Sequence, residues 1–512
     1  MKEKYDFNEK SFQFAPVEGR LHDLKLETKP LNYFQDAFLR FKKNKASVVA
    51  AVIIGILVLF AILAPIFSPY TVAYNDSNYR YVLPRSKLAY EAGWNFWDGC
   101  TNKSMSKDSF YYYYSMGVET GHNAVKNQEF ETETTSSGVV YNFRFDTYNA
   151  VGMVYMSVNL DTYTKIQKYQ DETGIQIIYP ITVKELRPKA VQDMENANYW
   201  YKTDFKGGKT AVVLDENGNF IDIYKAYSGD DGYTSTARIE GEGNYEYDYA
   251  VGNQTGFQIR VNYREYYIYY HTTILQDRIS EPLFLFGATT SGQDIFTCLG
   301  SGARFSFLLA LVVAGINLFV GAIYGAVEGY YGGAADLVME RIADILGSIP
   351  TMIVIVLLKL HMANTSHLLL LFITFFLTGW MGMAGRVRMQ FYRFKNSEYV
   401  LAARTLGAKD GRLMFKHIFP NSLGTIITGS VLVIPGVIFT ESSLSYLGII
   451  NLNTGNMTSV GTLLANAQPQ MTTYPHMIFF PALFISLLML SFNLFGNGLR
   501  DAFNPSLRGT ED

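Results

Sequence analysis

The sequence predicts a polytopic α-helical membrane protein with six transmembrane helices and a β-rich or α+β domain inserted between the first and second helices. Three observations support this fold class. Six apolar runs are long enough to cross a bilayer. Residues 75–283 contain no such run, yet they hold 26 of the 37 tyrosines. This acidic block carries 20 Lys+Arg against 28 Asp+Glu, whereas the rest of the chain has a net charge of +5.

The whole-chain averages conceal this division. The 512 residues have a formal net charge of −3 and 48% hydrophobic residues, values that are typical of a soluble protein. The local split excludes a plain soluble enzyme, because one part of the chain is built for a lipid bilayer. A charge near neutrality also gives the chain no general affinity for nucleic acid.

The first transmembrane helix is predicted at residues 47–67. This run holds no charged residue over about 20 positions, which at ~1.5 Å per residue covers the ~30 Å hydrocarbon core. The basic residues before it predict that residues 1–46 stay in the cytoplasm, with no cleavable signal peptide. These basic residues are Arg40, Lys42, Lys43 and Lys45.

Five further spans follow the acidic block. They are predicted at residues 304–327, 343–360, 367–385, 422–449 and 475–497. Alternation from a cytoplasmic N-terminus places residues 75–283 outside the plasma membrane, and both residues 386–421 and the tail 499–512 in the cytoplasm. Residues 386–421 hold eight Lys+Arg against only Glu398 and Asp410. This excess of positive charge on the cytoplasmic side supports the predicted topology.

The acidic block carries several signals for strands and turns. Polar and apolar residues alternate strictly over Phe257–Arg264, as in a half-buried strand. Ala211–Leu214 and Phe220–Ile223 flank Asn217–Gly218, a hairpin turn signal, and Val139–Asn159 predicts another strand pair. Two interpretations of the many tyrosines are open: a carbohydrate-binding surface, or side chains of a half-buried sheet, which is favoured.

Residue patterns for metal, cofactor and catalytic sites are missing from the sequence. Cys100 and Cys298 form neither a disulfide framework nor a zinc motif, and the seven histidines are scattered. Neither a phosphate-binding GxxxxGK[ST] loop nor a dinucleotide-binding glycine pattern after a strand occurs. We therefore expect no catalytic residue, no metal site and no bound cofactor in this chain.

The basic segment between the fourth and fifth spans contains signals for two short helices. Ser397 is suited to cap a helix that begins at Glu398, and Gly407 is suited to stop it in the left-handed conformation. A second short helix is expected from Asp410, and Pro420 is expected to break the chain where the fifth span begins. By composition alone, a basic cytoplasmic loop that merely obeys the charge rule is the favoured interpretation.

Ala402 and Ala403 leave one face of the first helix small enough for close approach by another protein, with Arg404 as a polar anchor. Their spacing to Gly407 and Pro420 resembles the EAA motif of ABC importer permeases, whose cytoplasmic helix docks in a groove of the ATPase. Similar segments continue the resemblance to the oligopeptide/dipeptide branch of that family. They are 41–45, 64–69, 283–306, 329–336, 440–448 and 492–505.

This resemblance implies a type I ABC importer permease fold, with a permease core at 284–498 and a large extracellular insert. It implies a peptide permease subunit without its own ATPase site. The implied partners are a homologous second permease, two ATPases that use ATP and Mg, an extracellular substrate-binding lipoprotein, the peptide substrate and the lipid bilayer. The implied ATPase-coupling residues are Glu398, Ala402, Ala403, Arg404, Gly407, Ala408, Asp410 and Arg412.

The sequence departs from the family pattern in a few places. Leu401 stands where the motif usually has glutamate, and Thr290 and Gln293 stand where the family usually has an acidic residue and an arginine. The largest departure is the acidic block, which replaces a short external connection. Docking of the binding protein is its favoured role, beside gating of the mouth or attachment to the envelope.

Glu441 and Ser442 are candidates for the translocation pathway, because an ionisable residue within a span is a default functional candidate. The alternative is that neighbouring spans or water satisfy the Glu441 carboxylate. Two other functions remain open. A mechanotransmission-type ABC membrane subunit has four spans and no EAA-type loop, and a membrane-anchored adhesion or sensor protein has no need of a coupling loop.

Overall fold

Long continuous stretches of the chain are defined in a computed structural model. They are residues 33–106, 138–179, 256–453 and 457–503, with shorter pieces at 109–110, 113, 116–117, 120–126, 131–135, 190–192, 200–206, 209–212, 251–253 and 455. The strand and turn predictions at 213–223 lie outside the described residues.

Helices make up most of the described chain. In order they are α1 (Tyr33–Lys43), α2 (Lys45–Phe67), α3 (Lys87–Glu91), α4 (Leu160–Thr173), α5 (Tyr263–Tyr269), α6 (Ile295–Tyr331), α7 (Gly333–Gly347), α8 (Thr351–His361), α9 (His367–Thr378), α10 (Met381–Phe394), α11 (Glu398–Thr405), α12 (Asp410–Arg412), α13 (Phe419–Val431), α14 (Val433–Tyr446), α15 (Val460–Ala467) and α16 (His476–Phe503). Two π-helical turns, Tyr270–Leu275 and Leu413–Ile418, continue α5 and α12.

Five of the described helical segments are long and apolar enough to span a membrane, and a bent pair brings the number to as many as six. We number them as spans 1 to 6 in chain order. They are Lys45–Phe67, Ile295–Tyr331, the pair α7 and α8, His367–Phe394, Asp410–Tyr446 and His476–Phe503. The polytopic helical architecture predicted from the apolar runs is therefore present.

Span 3 differs from the prediction of one helix at 343–360. The chain instead forms α7 and α8, whose axes meet at 71°. The break falls at Ser348, Ile349 and Pro350. Pro350 precedes α8 and cannot donate a backbone hydrogen bond, so a straight helix cannot pass through this point without losing one. The hydroxyl of Ser348 donates to the Asp344 carbonyl, which satisfies the end of α7.

Span 5 begins earlier than predicted, and the expected break at Pro420 is wrong. The helical path runs from Asp410 to Tyr446, and the π-helical turn Leu413–Ile418 lies just before Pro420. Pro420 occupies the first turn of α13, where a missing N–H costs little. The side chain of Asn421 donates to the His417 carbonyl at 2.8 Å, which helps to satisfy the widened turn.

The block between spans 1 and 2 contains strands and helices within its described residues. The strands are β1 (Cys100–Ser106), β2 (Glu131–Thr135), β3 (Gly138–Asp146), β4 (Met153–Val158), β5 (Ile178–Tyr179), β6 (Ala190–Gln192), β7 (Trp200–Lys206), β8 (Lys209–Val212), β9 (Val251–Asn253) and β10 (Gly256–Asn262). They form antiparallel sheets in the orders β1-β3-β2, β4-β10-β5 with β9 beside β10, and β6-β7-β8.

The strand predicted from alternation at 257–264 is present as β10, with Ile259 and Val261 fully buried beneath α4. The strand pair expected over Val139–Asn159 is wrong in its pairing. Strands β3 and β4 both form, but β3 pairs with β1 and β2, whereas β4 pairs with β10. The 3-10 turn Asn149–Val151 and Gly152, with φ of +53°, turn the chain between the two sheets.

This domain rests directly on the ends of the spans. Tyr70, just after span 1, stacks on Phe284 at 4.8 Å between ring centroids, and Tyr79 is fully buried in the same aromatic cluster. Arg278 donates to the carbonyl of Ile66 at 3.1 Å, at the last turn of span 1. The domain and the spans thus share one packed boundary.

Candidate functional site

The predicted coupling segment folds as a short helix followed by a left-handed stop. Helix α11 runs over Glu398–Thr405, with Ser397 at its N-cap position, although the Ser397 side chain makes no capping hydrogen bond. Gly407 has φ of +84°, a conformation that disfavours residues with a β-carbon. The helix boundaries predicted from local signals are therefore present.

Helix α11 is attached to the bundle by a narrow apolar face. Val400 is fully buried, and Ala403 and Ala408 pack beside it on a cluster that includes Phe391 and Leu413. Ala403 is therefore half-buried against the bundle, whereas Ala402 is exposed. Five of the other predicted contact residues are also exposed: Glu398, Arg404, Gly407, Asp410 and Arg412.

An apolar side chain that the sequence analysis did not select is the most prominent on this surface. Leu406 is 89% exposed at the end of α11. Tyr399 and Leu401 are also exposed on this helix, at 40% and 44%. Exposed apolar side chains on a rigid surface helix are typical of a protein contact. Leu401, which replaces the usual glutamate, therefore adds to this apolar surface.

A tyrosine from span 2 connects two of the predicted coupling residues. The Tyr330 hydroxyl donates to Asp410 Oδ1 at 2.6 Å and accepts from Arg404 Nη2 at 3.2 Å. Tyr330 is buried near the end of α6. The hydrogen bonds of this one side chain therefore join α11, the start of span 5 and the end of span 2, beside the apolar packing around Val400.

The neighbouring part of the bundle contains an ionic cluster around Arg388 of α10. The guanidinium contacts Asp336 and Glu340 of α7, each at 2.6 Å, and Glu328 of α6 at 3.4 Å. The hydroxyl of Tyr392 also bonds to Asp336. Because the three carboxylates come from two helices and the cation from a third, the cluster fixes the relative positions of α6, α7 and α10.

Three glycines allow α6 and α10 to approach closely. Gly321, Gly325 and Gly329 follow each other at four-residue spacing along one face of α6. A β-carbon at Gly321 would lie 2.7 Å from Cβ of Met383, and one at Gly325 would overlap the Ala384 carbonyl oxygen. This spacing of small residues is a common means of close helix packing in membranes.

The two pathway candidates lie within span 5. Glu441 has no exposed surface, and its carboxylate accepts from Ser306 of span 2 at 3.0 Å and from Ser445 at 3.1 Å. This is the arrangement of the alternative interpretation, in which neighbouring spans satisfy the carboxylate. Ser442 is also buried, but it borders an open groove of about 460 Å³ between spans 5 and 6.

In the described part of the chain, no group of three or more His, Cys, Asp or Glu side chains is placed to hold a metal ion. Cys100 is half-buried and Cys298 is buried, and both are free thiols.

The apolar helices have the length and composition of membrane spans, and α11 is exposed beside them. Residues 317–509 match the family described as binding-protein-dependent transport system inner membrane component, and residues 32–84 match the N-terminal transmembrane domain of oligopeptide transport permease C. The chain belongs to this family of inner-membrane permease components of binding-protein-dependent transport systems.

Within the family, the chain is similar to permeases named for peptide transport. It is 43% identical to the oligopeptide transport system permease protein OppC of Bacillus subtilis, over 44% of this chain and 72% of that protein. It is 41% identical to the dipeptide transport system permease protein DppC of the same organism, over 44% of this chain and 69% of that protein. A solved chain of the MetNI methionine ABC transporter aligns with 40% of this chain and 96% of its own length, at 13% identity and a TM-score of 0.31.

Proposed function

We propose that this chain is the permease subunit of an ATP-driven importer of oligopeptides or dipeptides, with a type I ABC importer fold. It forms half of the translocation pathway with a homologous second permease. Two cytoplasmic ATPases supply the work of ATP hydrolysis with Mg, since this chain has no ATPase site of its own, and an extracellular lipoprotein delivers the peptide. The similarity to peptide permeases supports this assignment, and the alternatives of a mechanotransmission subunit or an adhesion protein have no comparable support.

The observation that carries the coupling role is the attachment of α11 to two spans through Tyr330. An ATPase that moves α11 would move Arg404, and through the Tyr330 hydroxyl would act on the end of span 2 and on Asp410 at the start of span 5. Rigid elements that join a binding surface to two spans can convert a domain movement into a change of the pathway. Leu406 and Ala402 are exposed and form the proposed contact.

Cysteine crosslinking in the assembled transporter tests the coupling role. Ala402→Cys and Leu406→Cys are introduced after Cys100 and Cys298 have been replaced, and both are expected to crosslink to the cognate ATPase. Val400→Cys is the matched control, because Val400 is fully buried on the same helix. A transporter that hydrolyses ATP normally but gives no crosslink at either exposed position would refute the proposed contact.

The pathway proposal concerns Ser442 and its groove. Ser442 borders the open space between spans 5 and 6, where Tyr446 and Ser486 provide further polar groups. Widening of this groove when the two permeases separate would expose Ser442 to the substrate, while Glu441 behind it keeps the serines in place. Once Cys100 and Cys298 have been replaced, modification of Ser442→Cys by a bulky thiol reagent in the assembled transporter should block uptake, whereas the same modification of Phe439→Cys, at the exposed edge of the same groove, should have a smaller effect.

We further propose that residues 75–283 lie outside the cell and that both chain ends lie in the cytoplasm. The basic excess of residues 386–421 supports this orientation. A tethered external domain would raise the local concentration of the binding protein. Deletion of residues 80–278 should then weaken uptake at low peptide concentration but not at saturation, with assembly checked by co-purification of the ATPases. Unchanged uptake would refute the docking role.

A further inference from the structure

The segment Gly93–Trp97 presents large aromatic side chains at the surface of the domain. Trp94 is 44% exposed, Phe96 is 60% exposed and Trp97 is 38% exposed. Such rings are usually buried in a folded domain, because each removes a large apolar area from water. We call this segment, residues 93–97, the aromatic loop. A cluster of exposed rings of this kind marks a contact with a partner or a membrane.

The aromatic loop is held in place by hydrogen bonds at both ends, beginning with the Trp94 N–H, which donates to the Ala89 carbonyl at 3.0 Å. The Trp97 carbonyl accepts from the Ser86 N–H at 2.8 Å, and the Trp97 indole N–H donates to the Leu285 carbonyl at 2.5 Å. Arg144 donates to the Asn95 carbonyl at 3.0 Å. Trp97 also has φ of +55°, which is unfavourable for a bulky side chain. The domain therefore maintains these exposed rings in one fixed orientation.

The rings continue onto the spans. Trp94 stacks on Phe96 at 5.1 Å, and Phe96 contacts Trp97 at 6.5 Å. Trp97 contacts Phe480 of span 6 at 6.0 Å, and Phe480 contacts Phe479, which is 56% exposed on the same helix. Span 6 begins at His476, and Phe480 lies about 6 Å further along the helix at 1.5 Å per residue. The contact between Trp97 and Phe480 is therefore level with the beginning of span 6.

We propose that the aromatic loop is an interfacial anchor that inserts into the head-group region of the bilayer beside spans 1 and 6. Tryptophan prefers this depth, where its ring is apolar but its N–H can be satisfied. The described residues of the loop carry no charge, and Lys87 on the preceding helix α3 pairs with Glu281 at 3.3 Å, so the segment that enters the bilayer needs no charged group to be buried. The anchor fixes the domain against the membrane surface and so limits its tilt over the spans.

Lipid is the expected occupant because of where the loop lies on the bundle. Phe286, which Trp97 contacts at 6.5 Å, stacks on Phe480 of span 6 at 4.1 Å and on Phe60 of span 1 at 6.3 Å. Among the five long described helices, spans 1 and 6 bury the smallest shares of their apolar windows, 22% and 28%. The loop therefore adjoins the two long spans that this chain itself buries least, which leaves their outer faces available to lipid.

Fluorescence quenching in vesicles tests the proposal. The assembled transporter is reconstituted in phosphatidylcholine and phosphatidylglycerol with lipids brominated either near the head group or near the end of the acyl chain. The signal of Trp94 is the difference between the complete chain and Trp94→Phe. Bromine near the head group is expected to quench it about twofold more than bromine near the chain end, as for an interfacial tryptophan.

A matched depth control comes from span 1. Leu59 is 55% exposed on that span, so Leu59→Trp should add a component that is quenched more strongly by bromine near the chain end. If Trp94→Phe does not assemble, Phe96→Trp serves instead and should add a component quenched from the head group. No quenching of Trp94 by either lipid would overturn the proposal. Quenching only by dissolved iodide, with protection by the binding protein, would also overturn it and would identify a protein contact instead.

Discussion

The Tyr330 hydroxyl donates to the Asp410 carboxylate across 2.6 Å, joining the end of span 2 to the beginning of span 5. Arg404 of α11 donates to the same hydroxyl at 3.2 Å, and its guanidinium lies 5.8 Å from the centre of the Tyr330 ring. Among the described residues, Arg404 and Asp410 share no direct hydrogen bond, and both bind the Tyr330 hydroxyl. The polar attachment of the proposed coupling helix to both spans thus depends on one phenol, in addition to its apolar packing around Val400.

Tyr330→Phe tests this dependence with the smallest possible change. It keeps the ring but removes the hydroxyl, and hydrogen bonds to charged groups contribute about 1.5 to 3 kcal/mol each. We expect the peptide-stimulated ATPase activity of the assembled transporter to fall by up to about tenfold, since 1.4 kcal/mol is a factor of ten. The basal ATPase activity and co-purification of the subunits should not change.

Tyr331→Phe is the control for that experiment, because Tyr331 is the neighbouring tyrosine and is 57% exposed. It should leave the stimulated activity intact. Equal stimulation in both variants would show that the coupling helix is held by its apolar face at Val400 alone.

Gly325→Ala is expected to destabilise the packing of span 2 on span 4. The added methyl group would overlap the Ala384 carbonyl, and overpacking of this kind typically costs about 1 to 3 kcal/mol. Gly315→Ala is the control on the same helix, because a β-carbon there meets nothing within 4 Å. Thermal unfolding of the purified permease in detergent should show a lower midpoint for Gly325→Ala alone. Equal midpoints for the two variants would contradict the close approach of the helices.

Acid is expected to lower the stability of the domain between spans 1 and 2 through Asp98, which lies just before strand β1. Burial raises the pKa of Asp98, but hydrogen bonds from Arg144, the Cys100 N–H and Lys126 outweigh it and hold the pKa below its usual value. Arg144 contacts the carboxylate at 2.6 Å. A carboxyl group with a lowered pKa in the folded state stabilises the fold above its unfolded pKa, about 4 for Asp. This stabilisation is lost as the pH falls through the lower folded value.

The unfolding midpoint is measured by tryptophan fluorescence at a series of pH values that extends below about 4, the usual pKa of an aspartate. Asp98→Asn should lower the midpoint at neutral pH and reduce its fall in acid. Asp161→Asn is the control, since Asp161 is 69% exposed and pairs only with Lys165 among the described ion pairs. A wild-type acid profile that persists in Asp98→Asn would assign the effect to other groups.

The sequence predicted the parts of the site that depend on local signals. The helix at Glu398, the left-handed Gly407 and the start at Asp410 follow from neighbouring residues, so they could be predicted. Tyr330 could not, because its partner Asp410 lies 80 residues away and only the folded bundle brings them together. The one available signal was its position in a glycine-flanked pair of tyrosines at the end of an apolar run.

The same limit explains the errors in the fold. The alternation that predicts β3 and β4 contains no information about partners, and Val154 pairs with Val261, far along the chain. Hydropathy detected span 3 because its residues are apolar, but the 71° bend depends on backbone geometry near Pro350. Composition therefore predicts which segments enter the membrane, whereas long-range packing determines how they meet.

Arg388→Gln is expected to separate α7 from α10. The guanidinium is the shared cation for Asp336, Glu340 and Glu328, whose side chain is only 3% exposed. Its removal leaves three carboxylates close together without a counter-charge. Breaking a buried pair typically costs about 3 to 5 kcal/mol, and the partial exposure of Arg388 and Glu340 reduces this to about 2 kcal/mol. The unfolding midpoint of the purified permease should fall accordingly.

A second substitution distinguishes loss of charge balance from loss of side-chain packing. Glu328→Gln in the Arg388→Gln background removes the most buried carboxylate, so it should recover part of the lost stability. In the wild-type background the same substitution should cost stability, because it removes a partner of Arg388. Arg341→Gln is the surface control, since Arg341 is 70% exposed and contacts Asp344 only at 3.4 Å. If the double variant is no more stable than Arg388→Gln alone, the arginine acts through its aliphatic packing and not through its charge, because repulsion among the carboxylates would have been relieved.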